Sequence, residues 1–238
     1  MPVAWDIRLF DSIDSTNAYL LGQARSGAAE GVVAVAEHQQ AGRGRLGRTW
    51  VAPPGASLLM SVLFRPDLPL DRLHLVVAAV ALSAADAVDE VAGFRPDLKW
   101  PNDLLVGGRK LAGVLAERDG DAVVVGIGVN VNWPAELPDE LRDIAVAANH
   151  VAGRPVDKAE LLGTLLRVLA GRYGDWAAVA RDYRRACATV GQRVRVELTD
   201  ETFTGTAADI TDDGHLIVDV GACLRTVTAG DVHHLRPA

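Results

Sequence analysis

The chain has very little lysine. Of its 24 basic residues only Lys99, Lys110 and Lys158 are lysines, and the first two fall in one short region. Acidic residues outnumber basic ones, giving a net charge of −7, which argues against a general nucleic-acid or acidic-membrane binder. Aromatics are scarce at 5%, so the core must be mostly Ala, Val and Leu. Two cysteines, Cys187 and Cys223, make no disulfide framework and read as free thiols of a reducing cytosol. The longest apolar run, 73–85, is broken by His74 and Ser83 and is shorter than the ~20 residues of a membrane span. The start, Met-Pro-Val-Ala-Trp-Asp, lacks the basic and apolar regions of a signal peptide, so a soluble cytoplasmic protein is expected. There is no Walker-type glycine loop and no Ser/His/Asp set. The six histidines (38, 74, 150, 215, 233 and 234) show no metal spacing, so no metal ligand is assigned.

What is present is enough for one large domain, or a large one with a small companion: 238 residues, 49% of them hydrophobic. Residues 7–10 alternate as a short strand. Ser15 or Thr16 is a plausible cap for a helix over 18–25, with Gly27 as its stop. Strands are predicted at 31–37 and 58–64, and a long buried helix at 70–91 ended by Gly93. Short strands follow at 98–101 and 103–106, with Pro101 expected to break pairing between them. Gly107-Gly108 reads as a hairpin turn into 110–117. Residues 121–132 are the most β-like stretch. Their Gly126-x-Gly128 is rejected as a dinucleotide fingerprint, because the third glycine and the following helix are missing. A short helix is expected near 139–144, and packing helices at 157–173, capped by Asp157, and at 176–188. Past Val190-Gly191 four short strands (193–198, 203–209, 216–220, 224–228) suggest a small barrel. The domain boundary is placed between residues 188 and 189.

The chain is organised around one loop, Gln39 to Trp50, with Gly42, Gly44 and Gly47 interleaved with Arg43, Arg45 and Arg48. Glycine lets a ligand approach main-chain N–H groups, and arginine offers a planar fork for carboxylates and phosphates. On an acidic protein this favours a small anionic ligand. Polar groups that local structure does not require also occur at Ser15-Thr16-Asn17, at Lys99-Trp100-Pro101-Asn102-Asp103, at Lys110-Leu111-Ala112-Gly113 and at Asn130. Together they offer cations, neutral donors and one carboxylate. That inventory fits adenylate formation, in which a carboxylate attacks the α-phosphate of ATP and cations stabilise the charge that builds. The three arginines should repel one another, leaving the loop mobile until an anion sits among them.

These stretches resemble the biotin–protein ligases. Gly42-Arg43-Gly44-Arg45-Leu46-Gly47-Arg48 is similar to the family's biotin loop. Lys99-Trp100-Pro101-Asn102-Asp103 and Lys110-Leu111-Ala112-Gly113 match its two other signatures, in order and separation. The resemblance runs from about residue 6 to 236. It implies an α/β (α+β) fold: a mixed-sheet catalytic domain, 1–188, and an SH3-like C-terminal barrel, 189–238. It implies that biotin and MgATP form biotinyl-5′-AMP, and that biotin then passes to one lysine of a biotin carboxyl carrier domain. By matching, Ser15, Thr16 and Gln39 hold the ureido group with Asn17 in support, and Arg43 and Gly44 close over biotin. Arg45 faces the α-phosphate, Lys110 holds the carboxylate, and Asn102, Asn130 and Trp50 contact the nucleotide. Asp103 orients either the incoming amine or a magnesium-bound water. The catalytic pattern begins at once, so no DNA-binding role is expected, and the resemblance leaves a homodimer open. A lipoate or octanoate ligase is the nearest rival, and a non-catalytic basic-loop RNA binder is the rival from another class.

Overall fold

The computed structural model describes residues 4–137 and 139–235. The expected spans at 1–3 and 236–238 lie outside the described residues. A seven-stranded mixed sheet carries the first part of the chain: β1 (Asp6–Ile13), β2 (Val32–Gln39), β3 (Ser57–Phe64), β4 (Asp97–Lys99), β5 (Asp103–Val106), β6 (Arg109–Asp119) and β7 (Ala122–Asn130). Its order is β1-β2-β3-β7-β6-β5-β4. β1 and β2 are parallel, joined across helix α1 (Thr16–Arg25), and every other pairing is antiparallel.

β3 is buried on both faces. By period two, Leu58, Met60, Val62 and Phe64 turn towards α2 (His74–Ala92), an Ala-rich helix buried nearly all round. Leu63 turns the other way, into the small cluster under α1 with Leu20, Leu21 and Val124. Ser61 shares that second face and is fully buried there, a hydroxyl placed by the pleat beneath the start of α1. Two further helices, α3 (Asp139–Arg142) and α4 (Ala148–Ala152), border the sheet. Helices α5 (Lys158–Arg172) and α6 (Trp176–Ala186) pack on α2.

The second sheet holds five antiparallel strands: β8 (Arg193–Glu197), β9 (Thr202–Ile210), β10 (Leu216–Asp219), β11 (Leu224–Val227) and β12 (Asp231–His234), in the order β11-β10-β9-β8-β12. The two sheets are bound tightly. Trp100 is fully buried; its Nε1 donates to the Gly214 carbonyl at 3.0 Å and its N–H to Thr189 Oγ1 at 3.0 Å. Val194, Val196, Ile210 and Leu216 belong to the same apolar cluster as α2.

Three expectations need correction. Pro101 does not separate its flanking strands: β4 and β5 pair with each other, Lys99 opposite Asp103, and Pro101 sits in the turn between them. The C-terminal region has five strands, not four; Asp231-Val232-His233-His234 has little β-former content but pairs in register with β8. The long helix starts only at His74, after a separate turn at Leu70–Arg72, and α4 was not anticipated.

Candidate active site

Two adjoining pockets open on the sheet, one neutral and one charged. The neutral pocket lies at the start of α1. Ser15 is extended (φ −158°) and caps the helix, its Oγ accepting from the Ala18 N–H at 3.4 Å. The Thr16 N–H donates to Gln39 Oε1 at 2.8 Å, tying the helix to the end of β2. Ser61 Oγ lies 2.7 Å from Thr16 Oγ1 and 2.5 Å from Asn17 Oδ1. A hydroxyl has one proton and an amide oxygen only accepts, so Ser61 donates to Asn17, and Thr16 divides its one proton between Ser61 Oγ and Gln39 Oε1, which lies 3.1 Å away. Asn17 Nδ2 donates to Glu117 Oε2 at 2.9 Å, and Glu117 Oε1 pairs with Arg43 at 3.1 Å. Every side chain is thus oriented by another. The pocket, lined also by Met60, Leu115 and Trp50, has a volume of about 30 Å³.

Gly126 and Gly128 floor this pocket. A Cβ on Gly126 would stand 2.2 Å from Asn17 Oδ1, and one on Gly128 2.5 Å from the Trp50 indole. These glycines make room for the two side chains, which is why a dinucleotide-like pair occurs without a dinucleotide fold.

The charged pocket, of about 160 Å³, lies on the other side of Trp50 and is lined by Arg43, Arg45, Arg48, Lys99, Lys110, Asp103 and Asp231 among others. Lys110 Nζ is 2.7 Å from Asp103 Oδ1; the contact is ionic, off the line of a directed hydrogen bond. Lys110 is also 5.6 Å from the Trp50 ring centre. Arg45 donates to Asn102 Oδ1 at 3.1 Å and to the Gly230 carbonyl at 3.0 Å, while Asn102 Nδ2 donates to the Val114 carbonyl at 2.7 Å. Arg48 pairs with Asp231 at 2.5 Å. Burial lowers the Arg45 guanidinium and the Lys99 ammonium from their ordinary values; Asp103 and Asp231 pull Lys99 the other way. Among the described residues no carboxylate lies within 4.0 Å of Lys99. Five cations against two carboxylates make this a place for a polyanion. Among them no group of His, Cys, Asp and Glu side chains could hold a metal ion by itself.

The Biotin/lipoate A/B protein ligase family matches residues 9–132, and the biotin protein ligase C-terminal domain matches residues 189–235. The biotin–[acetyl-CoA-carboxylase] ligase of Mycobacterium tuberculosis is 43% identical over 236 residues, 93% of this chain and 86% of that protein. The chain belongs to the biotin protein ligase family. The bifunctional ligase/repressor BirA of Bacillus subtilis is 32% identical over 233 residues, covering 93% of this chain and 72% of its own. The biotin protein ligase of Aquifex aeolicus in complex with biotin and ATP superposes with a TM-score of 0.83 at 27% identity, over 98% of this chain and 99% of that one.

In this ligase chain Ser15, Thr16, Asn17, Gln39 and Arg43 meet at the neutral pocket, and Arg43, Gly44, Arg45, Asn102, Asp103 and Lys110 at the charged one, with Trp50 in the wall between. Asn130 is set apart. It is buried, and its Nδ2 is committed to the Lys110 and Val146 carbonyls; only its Oδ1 is unpartnered. Lys110 pairs with Asp103 across the β5–β6 hairpin. One expectation about charge needs correction. Arg43, Arg45 and Arg48 are not left without counter-charges: Glu117 pairs with Arg43, and Arg45 and Arg48 share Asp231, although Arg48 still pushes the Arg45 pKa down. Ser61, Glu117 and Asp231 were missed. Ser61 interrupts an apolar strand, which is a readable signal; the other two look like ordinary surface acids.

Proposed function

We infer that this chain activates biotin with MgATP, forming biotinyl-5′-AMP and pyrophosphate, and then transfers the biotinyl group to a lysine of a biotin carboxyl carrier domain. The observation that carries the reading is the neutral, hydrogen-bond-ordered pocket set directly beside a strongly cationic one. The first suits a polar, uncharged ureido head, and the second suits a carboxylate meeting a triphosphate. Trp50 stands in the wall between the two, and Lys110, paired with Asp103, reaches into the charged one. Magnesium arrives as MgATP.

In this reading Ser15, Thr16 and Gln39 hold the ureido group, with Asn17 orienting them, and Arg43 and Gly44 cover the biotin chain. A biotin carboxylate oxygen attacks the α-phosphorus, and pyrophosphate leaves. Arg45 and Lys110 stabilise the charge on the oxygens of the α-phosphate and the carboxylate, while Asn102 and Trp50 border the nucleotide and Asn130, set back behind Lys110, holds that residue's carbonyl. The lysine amine of the carrier then attacks the acyl carbon, AMP leaves and the amine loses a proton. Asp103, beside Lys110, orients that amine. We place the domain boundary between residues 188 and 189, after α6, and assign no sequence-specific DNA binding; the net charge of −7 supports this.

Biotin-dependent ATP–pyrophosphate exchange tests the reading, with lipoate as the control acid. Exchange with biotin alone is the expected result. Exchange with lipoate at equal efficiency would move the assignment to the lipoate branch of the same family, and absence of exchange with either acid would overturn it.

A further inference from the structure

Asp231 lies on the C-terminal sheet, yet it faces the charged pocket. It is 8% exposed. Its Oδ2 lies 2.5 Å from Arg48 Nη2 and its Oδ1 3.7 Å from an Arg45 nitrogen. The adjacent Gly230 carbonyl accepts from Arg45 at 3.0 Å. Pairing of Asp231 with Glu197 across β12 and β8 fixes the carboxylate on a rigid strand. The loop supplies its own brace at the other end: Arg48 N–H donates to the Arg45 carbonyl, and Gly44 N–H to the Arg48 carbonyl. Between them sits Leu46 at φ +55°, 73% exposed. A bulky residue held left-handed and outside the core needs restraint from its neighbours. The Arg45 and Arg48 contacts to residues 230 and 231 supply that restraint from outside the loop.

We propose that Asp231 is a positioning residue: acting through Arg48 and Arg45, it latches the glycine–arginine loop against the C-terminal sheet and so sets the cations over the reacting anions. Without the carboxylate, Arg48 loses its ion pair, Arg45 keeps only neutral acceptors, and the loop is released at the end that carries Leu46. The C-terminal sheet thereby contributes to adenylation without touching substrate. The catalytic part of this inference rests on the ligase reading, whereas the latch itself does not.

Two readouts separate those parts. Trypsin cuts after arginine, so cleavage at Arg45 and Arg48, mapped by mass spectrometry on the full chain, reports the latch without any chemistry. Asp231→Asn should speed cleavage at those sites on the order of five-fold by raising the open population, with sites outside the loop unchanged. It should lower kcat for biotin-dependent exchange about ten-fold, the effect of losing one charge-assisted contact, while KM for biotin stays near the wild-type value. Asp231→Glu should recover both effects, and in an Arg48→Gln background Asp231→Asn should add little. Unchanged loop cleavage in Asp231→Asn overturns the latch. Equal acceleration at sites throughout the chain also overturns it, because that is general loosening. Faster loop cleavage with unchanged kcat overturns the catalytic part alone, and an inactive wild-type protein would condemn the ligase reading instead.

Discussion

The two pockets share a wall but are built in opposite ways. The neutral one belongs entirely to the first sheet and α1: Thr16, Asn17, Gln39 and Ser61 form a hydrogen-bonded frame beside the Ser15 cap, in which Thr16 shares its one proton between Ser61 and Gln39. The charged one straddles both sheets. Its acids come from the first residue of β5 and from a strand 183 residues further along than Arg48. Neutral hydrogen bonds in a buried frame give orientation at fixed geometry. Ion pairs of half-exposed arginines give little net stability but can be exchanged for substrate anions. The contrast therefore separates a pocket that selects from a pocket that reacts.

The largest break in that comparison comes from removing residues 190–238. None of the signature residues lies there, which by sequence alone suggests a folded but impaired remnant. The shared apolar cluster says otherwise. Trp100 would lose its Gly214 partner, and α2 and Tyr183 would face water where Ile210 and Leu216 now pack. At about 1.5–3 kcal/mol for each large side chain uncovered, a few such losses match a typical total stability of ~5–15 kcal/mol. The truncated chain should show no cooperative thermal transition. A sharp melt at the full-length temperature would show that the sheets are independent.

Lys110→Ala comes next. It removes the cation that sits between Asp103 and Trp50 and leaves Asp103 unpaired in the pocket. Loss of a charge-assisted contact of about 1.5–3 kcal/mol should slow biotinyl-5′-AMP formation roughly 10- to 150-fold. Exchange at the wild-type rate would remove Lys110 from the reaction. Ser61→Ala tests the other pocket and should be milder. It leaves Asn17 Oδ1 without its donor, at about 1–3 kcal/mol of stability. It should raise KM for biotin while leaving KM for ATP alone. A matching rise for ATP would mean that the pockets are not separable.

How much of this was legible depended on range. Ser15 and Thr16 announce themselves locally, because a cap needs a hydroxyl at that step. The turn signal of Gly107-Gly108, both at positive φ, was readable for the same reason. Pro101 misled because proline bars a ladder bond at its own position, not pairing of the strands beside it. The distance between Lys110 and Asp103, seven residues apart in sequence, is set only when the hairpin closes. Asp231 had no local signal at all: its meaning comes from the packing of one sheet on the other. Gly126 and Gly128 lack the rest of a cofactor motif in the sequence, and their use, making room for Asn17 and Trp50, needs three dimensions.

An effect felt only in acid concerns the scaffold behind the charged pocket. His74 begins α2 and packs against Trp100 and Tyr183, with ring centres 6.0 and 5.7 Å away. Its Nε2 is cut off from water and has no partner. Burial, with a smaller push from His215 and Arg45, lowers its pKa to about 4. The unfolded chain binds that proton near pH 6.5, and the folded chain does so only near 4. Between those values the unfolded state holds more protons, so stability is complete above pH 6.5 and falls as pH drops towards 4, by up to about 3 kcal/mol. Within that window acid should weaken the seam between the sheets. His74→Leu removes the group while keeping an apolar contact to Trp100. Its melting temperature should therefore fall less than the wild type's between pH 6.5 and 4.5, even if it starts lower. Parallel slopes for the two proteins over that range would show that the acid sensitivity arises elsewhere.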